Sequence, residues 1–176
     1  MIRTRRSFSI PAHRVWPLLY SSRMEGSSSL LFRLGVPQPI ECRLPDGVGG
    51  VGAERQCVSD QGVVHQRILE WVPERRLSFR MEGTDVAAAR MVQGIVETFD
   101  LAPTRKGVLV TRTTRVQMSD HAGPIAKTEL FIGIKHVHRY VFRSWQRSAT
   151  VLEDRHPADS RGGDHRTGPL KFRRLQ

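Results

Sequence analysis

The sequence predicts one α+β domain, an antiparallel sheet followed by a long C-terminal helix. Three observations carry this expectation. The chain has 176 residues, 39% of them hydrophobic and 26% charged, which suits a single globular domain with a real core. Residues 40–118 form short β-type runs separated by turn residues, the pattern of strands joined by tight links. After Gly123 and Pro124 the period becomes helical, with Leu130, Ile134, Val137, Val141, Trp145 and Leu152 recurring three, four or seven residues apart.

The elements follow in order. Residues 2–10 alternate, with Ile2, Phe8 and Ile10 in one phase, and read as a first strand that Pro11 stops. Pro11 suits the first turn of a helix, and Val15, Trp16, Leu18 and Leu19 give residues 11–20 an apolar face despite Pro17. A second short helix is expected over 27–34, ended by Gly35 and the prolines of VPQPIE. Strands are expected near 39–45, 52–59, 62–71, 76–82, 92–102 and 107–118, giving about seven in all. Turn residues Asp60 and Gly62, Pro73, and the segment 102–107 join neighbours, so strands adjacent in sequence should be adjacent in the sheet. One helix should run over 124–153, with Lys127, Lys135, Arg139, Arg143 and Arg147 off its apolar stripe. Residues 1–153 then make the domain, and 154–176, rich in glycine, proline and charge, make a flexible basic tail.

Composition narrows the function. The net charge of +11 is almost wholly arginine, because the chain has four lysines, Lys106, Lys127, Lys135 and Lys171. Charge of this kind attracts anions over long range but specifies none, and the sequence has no aromatic RNP motif or zinc-finger spacing, so no specific nucleic-acid partner is expected. No apolar run reaches the length of a membrane span and MIRTRRSF is not followed by a hydrophobic segment, so a cytoplasmic protein is expected. Cys42 and Cys57 are read as two reduced, buried thiols, with no spacing for zinc. His136 and His138 are two apart on a helix and point to different faces, so no metal site is expected there. With no GxGxxG, GxxxxGK[ST] or GxSxG and no Ser/His/Asp set, no cofactor and no catalytic residue is assigned.

Particular stretches resemble a known family. SFSIPAHRVWPLL looks like the opening strand and helix of the START/SRPBCC (polyketide cyclase/dehydrase-like) helix-grip proteins, GVVHQRILEWVPERRLSF like their central hairpin, and GIVETFDLAPTRKGVLVTRTT like their last hairpin. KHVHRYVFRSWQ stands where the closing helix belongs, and the resemblance covers roughly residues 2–150. It implies a curved antiparallel sheet wrapped around the C-terminal helix, two short helices after the first strand, and an internal cavity for a small apolar molecule. Members bind lipids, sterols, polyketides or hormones, and some catalyse cyclisation or dehydration, so the resemblance carries over the cavity and not a reaction.

Strand alternation then nominates residues facing that cavity. Pairing Leu101 with Val108 sets Phe99 against Val110 and Glu97 against Arg112, all on the inner face. Glu97 and Arg112 either orient a polar ligand group or form an ion pair that only fixes register. In the middle hairpin, setting Trp71 against Leu77 and Leu69 against Phe79 turns Val63, His65, Arg67 and Trp71 inward, with Glu54, Gln56 and Val58 on the same side. His65 is a candidate acid or base, and Glu54 opposite Arg67 a second ion pair. From the long helix, Val137 belongs to the inward stripe and Tyr140 reaches the rim with its hydroxyl.

The candidate ligand-binding residues are therefore Glu54, His65, Arg67, Glu97, Phe99, Arg112, Val137 and Tyr140. The first reading is binding of a small hydrophobic or amphipathic, lipid- or polyketide-like molecule. The second is a cyclase- or dehydratase-like enzyme using His65 or Glu97 as proton acceptor and Arg112 to stabilise negative charge. The third is a basic interaction module whose interior is only core. The sequence leaves open which applies and whether the chain forms a homodimer.

Overall fold

The computed structural model describes residues 1–26, 29–87 and 92–154, with side chains as far as Val151. The elements run β1 (Ile2–Phe8), α1 (Ala12–Tyr20), β2 (Ser22–Arg23), α2 (Leu30–Arg33), β3 (Pro39–Arg43), β4 (Glu54–Ser59), β5 (Gly62–Val72), β6 (Arg76–Thr84), β7 (Val92–Thr104), β8 (Gly107–Met118) and α3 (Pro124–Asp154). One antiparallel sheet of eight strands has the order β1-β8-β7-β6-β5-β4-β3-β2 and curls about α3. Consecutive strands from β2 to β8 are neighbours, and the tight links β4–β5, β5–β6 and β7–β8 leave those pairs no other partner in reach. The extra strand is β2, two residues that follow α1 directly and pair with β3. Apart from Asp154, which ends α3, the expected tail lies outside the described residues.

Local chemistry explains the boundaries. Pro11 is the N-cap of α1, and Ser21 closes its end by donating its backbone N–H to the Pro17 carbonyl at 2.9 Å. The helix buries Val15, Trp16 and Leu19. The β7–β8 turn ends on Gly107 at φ +135°, and a Cβ there would lie 2.1 Å from the Phe8 carbonyl oxygen, so glycine lets the turn pack against the end of β1. In the loop before β4, a Cβ on Gly49 would meet the Trp71 indole at 2.2 Å.

The core lies between the concave face of the sheet and α3. Ile68, Leu77, Phe79, Phe99, Val108 and Val110 from the sheet meet Val141, Phe142, Trp145 and Ala149 from the helix, all buried. An aromatic row crosses it, with ring centroids 6.2 Å apart for Phe8 and Phe142, 5.7 Å for Phe142 and Trp145, 5.6 Å for Trp145 and Phe99, and 6.0 Å for Phe99 and Phe79. The buried face of α3 is rotated slightly from the expected stripe: His138, Phe142 and Trp145 are fully buried, while Leu130, Ile134 and Val137 are only half-buried.

Two expectations are corrected. Cys42 and Cys57 are not free thiols; they stand directly opposite on β3 and β4 and form a disulfide, with Cα atoms 4.2 Å apart. The middle hairpin faces the other way from the expected phase. Trp71 does oppose Leu77, but a bulge between Ile68 and Glu70 sets Ile68, not Leu69, against Phe79. One extra residue reverses which side chains point inward, so Gln66 and Ile68 are buried and His65 and Arg67 lie on the outer face.

Candidate functional site

The last hairpin brings polar groups into the grip. Its register pairs Leu101 with Val110, Phe99 with Arg112 and Glu97 with Thr114, two residues from the expected register. A shift of two keeps every side chain on its face, so Glu97, Phe99 and Arg112 all point inward as the alternation requires. The Arg112 guanidinium forks the Glu97 carboxylate side-on: Nε donates to Oε1 at 3.2 Å, and Nη2 to Oε1 at 2.7 Å and Oε2 at 2.8 Å. Arg112 also lies 5.3 Å from the Phe99 ring centroid. Both charged residues are buried.

The pair is extended by hydroxyls and a histidine. Thr114 donates its hydroxyl to Glu97 Oε1 at 2.8 Å, which leaves its oxygen to accept from His138 Nε2 at 2.8 Å. His138 is then the Nε2–H tautomer, and its Nδ1 accepts from the Thr4 hydroxyl at 3.0 Å. A directional relay runs from β1 through α3 to β8 and β7. Burial pushes His138 down to about 4, Arg112 adding to the effect and Glu97 opposing it, so the imidazole is neutral at pH 7. Burial works against the Glu97 charge, but Arg112 and the hydrogen bonds outweigh it and hold the carboxyl well below the usual carboxylate range. A carboxylate so stabilised is a weak proton acceptor, which counts against Glu97 as a general base.

Arg55 is a second buried cation, missed from the sequence. It is 3% exposed on β4, its guanidinium carbon 4.3 Å above the Phe79 ring centroid. Nη1 donates to Gln66 Oε1 and to Cys57 Sγ, the latter at 3.0 Å, and Nη2 donates to the Leu19 carbonyl at 2.9 Å. Burial lowers its pKa to about 9, with Glu97 opposing and Arg112 adding, so it stays charged at pH 7. The sequence gives little signal for it, because neither phase of ERQCVS is apolar.

Three candidates lie outside the grip. His65 Nδ1 is 2.9 Å from Glu54 Oε1, and Arg67 pairs with Glu82 at 2.8 Å, all on the outer face. Hydrogen bonds from Gln56 and then His65 lower the Glu54 pKa. Glu54 and Arg67 are opposite in the register, as expected, but the carboxylate bonds His65 rather than Arg67. His65 is therefore not an interior acid or base. Val137 packs half-buried against the core, and buried Tyr140 accepts from Gln38 Nε2 at 3.0 Å while its ring meets Phe32 at 4.9 Å. Neither touches the Glu97 relay among the described contacts.

An open cleft of about 630 Å³ adjoins this interior. Ser7 and Phe8 of β1, Arg105 and Lys106 of the β7–β8 turn, and Ala149 and Thr150 of α3 line it. Phe8 and Ala149 also belong to the core, so the floor of the cleft is the end of the aromatic row. Among the described residues no group of three or more metal-ligating side chains occurs, and no helix is long and apolar enough to cross a membrane.

No family model matches the chain, and no curated protein matches it significantly. Solved structures do match. A START superfamily protein from Mycobacterium smegmatis superposes with a TM-score of 0.59 at 10% identity, covering 86% of this chain and 97% of that one. Ara h 8.0201 gives 0.62 at 11% identity over 85% and 97%, and protein MLL2253 from Mesorhizobium loti gives 0.57 at 19% over 88% and 96%. With a curled antiparallel sheet closed on a long C-terminal helix, and these neighbours covering most of both chains, the protein has a helix-grip fold like that of the START superfamily protein on which it superposes.

Proposed function

We propose that the chain binds a small hydrophobic or amphipathic molecule, lipid- or polyketide-like, between the sheet and α3. The observation that carries this reading is the set of polar groups on the concave face. Arg55, Glu97, Arg112 and His138 are all buried among aromatic and aliphatic side chains, where a purely structural core of this size has no need of ions. The START-like neighbours support the same reading at the level of fold. Access would run through the open cleft, whose volume of about 630 Å³ is in the range of small-molecule sites and which touches the core at Phe8 and Ala149. An apolar ligand gains its affinity by displacing water from such a surface, and a few inward polar groups give selectivity. The site lies within residues 1–153.

The test is uptake of the neutral fluorescent probe N-phenyl-1-naphthylamine. The protein should bind it with enhanced, blue-shifted emission, and Thr150→Trp, which puts an indole into the cleft from an exposed position, should weaken binding at least tenfold with the melting temperature unchanged. Absence of uptake by the wild type would overturn the proposal.

A further inference from the structure

The two buried guanidiniums are not equivalent. Arg112 offers its Nε and Nη2 to Glu97, and that edge is fully used. On Arg55 the bonded positions are Nη1, twice, and Nη2, once; Nε–H is buried without a partner, and one of the two Nη2 N–H groups is left for a further acceptor. No carboxylate among the described residues lies within ion-pair distance of Arg55. With His138 neutral, two cations and one anion leave a net charge of +1 inside the grip. A buried charge without a counter-ion is costly, and Gln66, Cys57 and the Leu19 carbonyl supply only dipoles to offset it. Arg6 Nε is the other buried donor without a partner, on a side chain that is only half-buried.

We infer that Arg55 is the anchor for an anionic head group and that the ligand is an amphipathic carboxylic acid. This rests on the binding function proposed above and specifies it. A carboxylate side-on to Arg55 completes the guanidinium as Glu97 completes Arg112, and it brings the interior to charge balance. The apolar part would lie among the aromatic rings of the packed core, which would have to part to admit it. From Arg55 over Phe79, then Phe99 and Trp145, the aromatic row leads towards Phe142 and Phe8 at the floor of the cleft. A chain lying along that row has its acid at one end and the opening at the other.

The experiment compares dodecanoate with 1-dodecanol, two chains of equal length, as competitors of N-phenyl-1-naphthylamine at pH 7. The wild type should prefer the acid at least tenfold. Arg55→Met should still take up the probe, and within that variant the preference for the acid over the alcohol should be lost. Without any ligand, Arg55→Met should melt higher than the wild type, because an unbalanced charge has been removed from the core. Equal competition by acid and alcohol in the wild type, measured with no variant at all, overturns the anchor and leaves the binding function standing. Retention of the preference in Arg55→Met does the same. Failure of the wild type to take up the probe overturns the binding function and the anchor with it.

Discussion

At the residue scale, the buried ion pair is the part of the site that alternation in the sequence reveals most directly. Glu97 and Arg112 lie in runs whose apolar neighbours Phe99, Leu101, Val108 and Val110 fix the inward phase, so a register error of two residues leaves the conclusion intact. Removing Arg112 alone strands a carboxylate among Phe99, Thr114 and His138, and Arg112→Met should lower the unfolding free energy by about 3 to 5 kcal/mol. Replacing both members, Glu97→Gln with Arg112→Met, should cost no more than about 1 to 2 kcal/mol, because neither charge of the pair is left stranded. Urea denaturation of the two variants checks the contrast. His138 gives a pH signature of its own. The unfolded imidazole takes a proton near its ordinary 6.5 and the folded one only near 4, so its stabilisation is whole above pH 6.5 and is lost as the pH falls to 4. The loss should reach about 3 kcal/mol, and in His138→Gln the slope of stability against pH across that window should flatten.

At the element scale, strands with one clearly apolar phase are legible and those without are not. The β7–β8 hairpin is the former. In β5, the run GVVHQRILEWV has apolar residues in both phases, and nothing in it announces the bulge between Ile68 and Glu70 that turns His65 and Arg67 outward. In β4 both phases are polar, which hides Arg55. The long helix shows the opposite case. His138 stands three, four and seven residues before Val141, Phe142 and Trp145, a spacing that could have placed it on the buried face. The disulfide was illegible for a different reason: two cysteines 15 residues apart reveal a bond only once the β3–β4 register sets them opposite. It closes a loop of that length, and by the loop-entropy argument its reduction should lower stability by about 3 kcal/mol. Denaturation midpoints of oxidised protein and of the Cys42→Ser, Cys57→Ser double variant measure this. Mass spectrometry after thiol alkylation reports how much of the bond forms.

At the scale of the whole molecule, the order of elements was readable because each change of period coincides with a change of element. The short strand β2 escaped because two residues have no period. What the sequence could not supply was the inventory of charge inside the grip, since that depends on which face each strand presents. The sheet is open, and β1 is one of its edges, with a row of peptide groups that could template a strand from another molecule. The long helix blunts this edge. Lys135 Nζ donates to the Arg3 carbonyl at 2.9 Å, and Gln146 Nε2 donates to the Ser7 carbonyl at 3.3 Å. Arg3 and Arg5 are exposed along the same strand, so a second copy approaching edge to edge meets like charge as well as carbonyls already occupied. Part of the positive charge of this chain thereby acts as protection against aggregation, keeping a half-open barrel from growing into a continuous sheet.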